Sequence, residues 1–276
     1  MSANPESTII NTADGTPFEM PKGTTAQTVT SVQHYSPELF SFRIERPESF
    51  RFRSGEFVMI GLPNAAKPIF RAYSIASANW AEYVEFFSIK VPDGPLTEHL
   101  QRIEPGDQVL IKGRSVGTLV LDALEPGRNL YLLSTGTGFA PFASVIQDPE
   151  TYAQFDHVVA VQTCRTVAEL GYIQQLRERL ETDPDLSEFI GDKLGWLTSA
   201  TREPWPCQAR VTDLLRSGEL FKLTGREPFD PDLDRAMICG SMAMLKETRT
   251  ICESMGLVEG SNSRPGTFVV ERAFVD

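Results

Sequence analysis

No apolar run in this chain approaches the ~20 consecutive residues that a membrane-spanning helix needs, which excludes the helical membrane proteins. The opening stretch Met1-Ser2-Ala3-Asn4-Pro5-Glu6 lacks a basic segment followed by an apolar one, so no secretory signal is expected and the expected location is cytoplasmic. Cysteine is scarce. The four residues Cys164, Cys207, Cys239 and Cys252 form no C-x-x-C pair, no zinc-ligand spacing and no plant-type iron–sulfur spacing. The three histidines, His34, His99 and His157, are isolated, so no metal is expected. Positive charge is in deficit, with a formal net charge of -11, which argues against nucleic acid or an anionic membrane as the main partner. Internal repeats and low-complexity tracts are absent too. What is present, 41% apolar and 23% charged residues, is the composition of a soluble globular protein. Its 276 residues suffice for two domains of ordinary size.

Residues 1–26 are polar and rich in Gly, Pro and Thr, and read as a loosely held extension with a short strand at Ser7–Asn11. From there to about residue 111, short strand-like runs alternate with turns: Thr28–Tyr35, Leu39–Glu45, Glu56–Leu62, Arg71–Ser77, Tyr83–Lys90 and Gln108–Lys112. Such spacing predicts an antiparallel barrel. One helix is expected to interrupt it, with Thr97 as N-cap. Asp122–Gly127 contains Pro126-Gly127 and reads as a link. Beyond it, strands at Asn129–Leu133, His157–Thr163, Trp196–Thr201, Ala236–Cys239 and Thr267–Glu271 alternate with helices from Pro141, over Val167–Leu180 and over Ser241–Met255. Strands alternating with helices predict a parallel sheet.

Several short motifs carry chemistry. Arg71-Ala72-Tyr73-Ser74 offers a guanidinium fork for a phosphate, a flat ring with a hydroxyl, and a small donor and acceptor. An edge strand with an exposed Arg and a half-buried Tyr would look the same. Gly136-Thr137-Gly138 follows a strand and opens a helix, with Pro141 suited to its first turn; N–H groups there can hold a pyrophosphate. Pro141 stands where a third glycine of G-x-G-x-x-G would be, and Phe142 reads as core. The strand ending at Thr163 runs into Cys164-Arg165-Thr166 without the acid that NAD sites place there for the ribose 2′-hydroxyl. The next ends in Thr201-Arg202, with Arg210 eight residues on, so three arginines near strand ends fit a 2′-phosphate. Solvated surface arginines are the plainer alternative.

Arg71-Ala72-Tyr73-Ser74, Gly94-Pro95-Leu96-Thr97, Gly136-Thr137-Gly138-Phe139-Ala140-Pro141 and Cys239-Gly240-Ser241 occur in that order. Together they resemble the ferredoxin-NADP reductase superfamily over roughly residues 27–276, and the ending Val269 to Asp276 is similar to the bacterial ferredoxin/flavodoxin-NADP(H) reductases. The resemblance implies an α+β chain of two domains: an antiparallel β-barrel binding FAD over 27–124, then an α/β parallel-sheet domain binding NADP(H) over 125–276. It implies hydride exchange between NADPH and FAD, and single-electron exchange with ferredoxin or flavodoxin, by a monomer. It places Arg71 at the FAD pyrophosphate, Tyr73 on one ring face with Ala72 beside it, and Ser74 at N5. Phe87, Ile89, Lys90 and Val91 would flank the cofactor, with Gly94, Pro95, Leu96 and Thr97 cradling its pyrophosphate. Thr137 and Gly138 would hold the dinucleotide; Thr201, Arg202 and Arg210 would clamp the 2′-phosphate; and Arg165 would meet either phosphate group. Cys239 would lie beside the nicotinamide C4. Glu271 would orient or handle a proton, unless it is a surface ion-pair partner. Ala273 would face the flavin and Phe274 stack on its adenine, where the plastid branch ends in a stacking Tyr. Arg43, Arg46, Arg51, Arg53 and Lys67 are candidates for docking an acidic carrier. The alternatives are an electron-input module for an oxygenase-type complex and a non-enzymatic nucleotide-binding redox sensor.

Overall fold

The computed structural model describes residues 9–11, 16–63, 68–91 and 94–272. Two short strands, β1 (Ile9–Asn11) and β2 (Pro17–Glu19), pair with each other ahead of the first large unit. That unit is a six-stranded antiparallel sheet built from β3 (Thr24–His34), β4 (Leu39–Glu45), β5 (Phe57–Gly61), β6 (Arg71–Ser74), β7 (Tyr83–Ile89) and β8 (Gln108–Val116), in the order β6-β5-β8-β3-β4-β7. A bridge between Ile75 and Phe86 joins its two edges, so the sheet closes into the expected barrel. Alternation along the strands explains the closure: Phe40, Phe42, Ile44, Val58, Ile60, Val84 and Phe86 all point inward into one core.

Two barrel strands run longer than the sequence suggests. The first pairs with β8 over Thr24–Thr28 and with β4 over Val29–His34, passing through an irregularity near Val29. The second continues to Val116, because its polar end Arg114-Ser115-Val116 is held by pairing with β5. The helix α1 is a single turn, Thr97–Leu100. Its cap position falls on Leu96 and no side chain caps it. Thr97 is therefore not the N-cap; its hydroxyl donates instead to the Val91 carbonyl, 3.2 Å away.

The second unit is a five-stranded, wholly parallel sheet of β9 (Asn129–Thr135), β10 (His157–Cys164), β11 (Leu194–Ala200), β12 (Asp234–Gly240) and β13 (Phe268–Arg272), ordered β11-β10-β9-β12-β13. Around it lie α2 (Ala140–Ile146), α3 (Pro149–Gln154), α4 (Gly171–Thr182), α5 (Pro184–Ile190), α6 (Val211–Ser217), α7 (Glu219–Thr224) and α8 (Met242–Ser254). The helix expected over Val167–Leu180 starts with a 3-10 turn at Ala168–Leu170 and runs on to Thr182. Asp183 then caps α5, accepting bonds from Asp185 and Leu186. Phe142 is fully buried. All four cysteines are buried, free and in this unit.

The two units share a core. Leu39, Ala76 and Phe87 from the barrel pack with Phe139, Phe142 and Tyr172. Phe87 stacks on Tyr172 with ring centroids 4.4 Å apart. Polar bonds frame the stack. Gln147 donates to the Ala76 carbonyl at 3.1 Å and accepts from Arg179 at 2.7 Å. Asn79 donates to Asp148 at 2.9 Å. The buried Glu85 of the barrel pairs with Arg43 at 3.1 Å and with Arg179 of α4 at 3.8 Å. Among the described residues no helix is long and apolar enough to cross a membrane.

Candidate active site

The order β11-β10-β9-β12-β13 reverses direction between β9 and β12. In open parallel sheets the crevice at such a switch point, beyond the carboxyl ends of the strands, is where ligands bind. The chain leaves β9 through a 3-10 turn, Gly136–Phe139, and passes straight into α2 with Pro141 in its first turn. Gly136 has φ of +54°, a conformation glycine adopts freely. A Cβ on Gly138 would run into the Cys239 carbonyl, and one on Gly240 into the Thr135 hydroxyl. These two glycines let the ends of β9 and β12 close on each other. Thr137 is buried in that turn. On the far side of the crevice Ser241 caps α8, accepting from Met244.

Cys239 and Glu271 are register partners on β12 and β13. Cys239 is fully buried, and burial together with the adjacent Glu271 pushes its thiol well above the ordinary range. Such a thiol offers no thiolate near neutral pH. Glu271 reaches across to the barrel: its Oε2 accepts from the Thr118 N–H at 2.9 Å, and the Thr118 hydroxyl donates to the Val270 carbonyl at 3.0 Å. Burial raises the Glu271 carboxyl to about 7, opposed by the Thr118 bonds and assisted by Glu56. Glu271 is thus no surface ion-pair partner. Glu56 is itself buried, held by Arg53 at 3.0 Å and by the Ser115 hydroxyl at 2.6 Å.

The barrel contributes β6. Its register sets Ser74 opposite Phe57 and Tyr73 opposite Val58. Tyr73 packs edge-on against Phe86, with ring centroids 6.1 Å apart, and burial raises its hydroxyl above the ordinary range, with Ser88 on β7 opposing the shift. Ser74 is half-buried and its hydroxyl makes no bond to any described residue. Arg71 is exposed and makes one side-chain bond, to the Phe70 carbonyl at 3.0 Å, leaving donors free. Strand alternation puts Phe87 and Ile89 on the opposite side from Ser88, toward the second unit. The Phe87 ring is engaged with Tyr172, so any contact it makes with a cofactor falls to its backbone. The Lys90 N–H is bonded to Glu38, and the Val91 carbonyl accepts from Gly94 and Thr97, with Leu96 buried and Pro95 exposed. β7 packs against the 3-10 turn after β9, bringing the barrel site and the crevice together.

At the other end of the crevice the loops after β10 and β11 are stitched together. Thr201 donates to the Cys164 carbonyl from its N–H at 2.9 Å and its hydroxyl at 3.1 Å, and Arg202 N–H donates to the Arg165 carbonyl at 2.9 Å. Glu203 accepts from Val167 at 2.6 Å. The guanidinium groups of Arg165, Arg202 and Arg210 are exposed and bond no described residue. Three uncommitted cations at the edge of a crevice, in a chain of net charge -11, are a donor set suited to an anionic ligand.

Ala273, Phe274 and Lys67 lie outside the described residues. Of the arginines expected to form a docking patch, Arg43 and Arg53 are committed to Glu85, Glu56 and Asp122. Arg46 bonds the carbonyls of Phe50, Asn79 and Ala81, and Arg51 those of Glu48 and Phe50. Sequence reading missed Thr118, Glu56 and Gln162. Thr118 and Glu271 lie far apart in the chain, and nothing in the local pattern marks Thr118. Gln162 could have been found, as one amide at the end of the apolar run Val158–Val161.

Residues 26–120 match the family model described as an oxidoreductase FAD-binding domain. The chain is 55% identical over 251 residues to a flavodoxin/ferredoxin–NADP reductase of Rhodobacter capsulatus, covering 91% of this chain and 93% of that protein. It is 49% identical to a ferredoxin–NADP reductase of Pseudomonas aeruginosa, over 90% of this chain and 96% of the other. Among solved structures it is similar to a ferredoxin NADP+ reductase from Neisseria gonorrhoeae with bound FAD and NADP, at TM-score 0.82 and 30% identity, covering 92% of this chain and all of that one.

Proposed function

The chain belongs to the ferredoxin/flavodoxin–NADP reductases, two-domain flavoenzymes that couple NADP(H) to ferredoxin or flavodoxin through FAD, and on that premise we propose which of its residues do the work. The FAD, when bound, accepts a hydride and passes its electrons on singly. In this reading Arg71 holds the FAD pyrophosphate with its free donors. Tyr73 covers one ring face, with Ala72 beside it, and Ser74 turns its unpartnered hydroxyl toward N5. Gly94, Pro95, Leu96 and Thr97 cradle the same pyrophosphate, and Phe87, Ile89, Lys90 and Val91 line the neighbouring backbone.

The crevice takes the nicotinamide nucleotide. Thr137 and Gly138 present the turn's N–H groups to its pyrophosphate. Cys239 packs beside the nicotinamide as an uncharged wall, and Glu271 stands behind it with a proton available near neutral pH. Ala273 and Phe274 complete the flavin site. The division at 27–124 and 125–276, with 1–26 preceding, belongs to the same proposal, as do a monomeric state and a cytoplasmic location; four unpaired thiols suit a reducing compartment.

The observation that carries the cofactor choice is the pair Arg202 and Arg210, exposed and uncommitted after β11, together with the end of β10, where Cys164-Arg165-Thr166 lacks the acid that would serve NAD. Arg165, on the adjacent loop, meets either phosphate group. A charge-assisted bond contributes roughly 1.5–3 kcal/mol. Arg202→Ala should therefore lower kcat/KM for NADPH by roughly one to two orders of magnitude and leave NADH nearly unchanged. An equal fall for both nucleotides would make Arg202 merely structural.

A further inference from the structure

Central strands of a parallel sheet are covered on both faces and read as apolar runs. β10 obeys this through Val158-Val159-Ala160-Val161, then places Gln162 in the interior with no exposed surface. An amide there is costly unless it is bonded. Its Nε2 donates to the Gly136 carbonyl at 3.0 Å, while its Oε1 has no partner although it is buried. The bond lands on the one residue of the turn with positive φ.

The register makes the position meaningful. Thr198, Gln162, Ser134, Cys239 and Glu271 are successive register partners across β11, β10, β9, β12 and β13. Register partners in a parallel sheet share a face, so this is one polar row beneath the crevice. Trp205 donates to Thr198 at one end, near the arginines, and Thr118 donates to Glu271 at the other. Gln162 is the member of the row that touches the turn. In a trans peptide the carbonyl of one residue and the N–H of the next point in opposite directions. Drawing the Gly136 carbonyl down to the sheet therefore turns the Thr137 N–H up, away from it. Nothing else from the sheet holds that carbonyl among the described residues.

We propose that Gln162 is a positioning residue for the dinucleotide: its amide fixes the Gly136–Thr137 peptide plane so that the turn's N–H groups face the pyrophosphate. This rests on the reading of Gly136–Gly138 as the pyrophosphate turn. The pyrophosphate is common to NADPH and NADH, so the effect differs in kind from that of the arginines.

The test is ligand binding to the FAD-loaded protein by calorimetry, with NADP+ and with 2′-AMP, which has the 2′-phosphate but no pyrophosphate. One lost hydrogen bond of ordinary strength corresponds to a change of roughly 2- to 10-fold. Gln162→Met should weaken NADP+ by that factor, leave 2′-AMP unchanged, and lower kcat/KM for NADPH and NADH alike. Gln162→Glu serves as the second variant. Ionised, it repels the carbonyl; protonated, it donates to it, so its NADP+ affinity relative to 2′-AMP should rise as pH falls. Gly136→Val probes the turn itself, because a β-branched residue resists positive φ. If Gly136→Val weakens NADP+ while both Gln162 variants bind like the parent, the role of Gln162 is overturned and the turn reading stands. If Gly136→Val also leaves NADP+ binding unchanged, the turn reading fails and the inference with it.

Discussion

Glu271 sits in the protein with its carboxyl raised to about 7, so it keeps its proton through a pH range in which an unfolded chain would lose it. From about pH 4.5 to about 7 the folded state binds more protons than the unfolded one, and stability falls as pH rises through that window. Above it the penalty is constant. At 1.36 kcal/mol per pKa unit the whole effect is roughly 3 kcal/mol. Glu271→Gln should remove it: urea midpoints of parent and variant should match near pH 4.5 and diverge in favour of the variant toward pH 7.5. Parallel pH curves would mean that Glu271 is ionised in the fold. Ser74→Ala should slow flavin reduction at saturating NADPH in stopped flow with NADPH affinity retained, since geometry governs that step; an unchanged limiting rate would remove Ser74 from the site. Single residues such as Arg71 and Arg202 stand out as candidates in the sequence because their chemistry is local. Glu271 was half legible, as a carboxylate in a familiar ending, but its burial and its bond to Thr118 come from folding two distant segments together.

Among the elements, strand positions were largely legible and their ends were not. β4 begins and ends where its alternation predicts. β8 outruns its apolar pattern because a neighbour, not its own sequence, holds Arg114 to Val116. The short helices α6 and α7 went unseen, separated by Gly218 in the left-handed conformation and too brief to show a period. α3 gives a prediction at this scale. Asp148 caps it by accepting from Glu150 at 3.0 Å, and its other oxygen accepts from Asn79 in the barrel. Asp148→Ala should cost about 1–2 kcal/mol in urea unfolding, the range for a lost cap. Asn79→Ala on that background should cost less than on the parent, because the partner is already gone. Additive losses would show that the two groups act independently.

At the scale of the molecule, the barrel and the parallel sheet were predictable as separate patterns, but their joint was not. Arg179, Glu85, Gln147 and Tyr172 carry no motif, and only the assembled fold makes them neighbours. Arg179→Met would break the bond to Gln147 and leave Glu85 with Arg43 alone, costing roughly 1–3 kcal/mol. In the parent, flavin release and tryptophan fluorescence should change at one urea concentration; in Arg179→Met the two transitions should separate. The buried thiols supply an independent clock for the same joint. Every cysteine lies on the sheet side and none in the barrel, and Cys239 and Cys252 are wholly shielded, with the Cys252 thiol pushed up to about 12 by burial. An alkylating reagent can reach them only when the sheet itself opens, so the barrel contributes no signal. If the shared core makes the two halves open as one, each of these thiols will react at the rate at which the barrel releases its flavin. The chain would then carry a built-in chemical stopwatch for its own breathing, readable cysteine by cysteine by mass spectrometry.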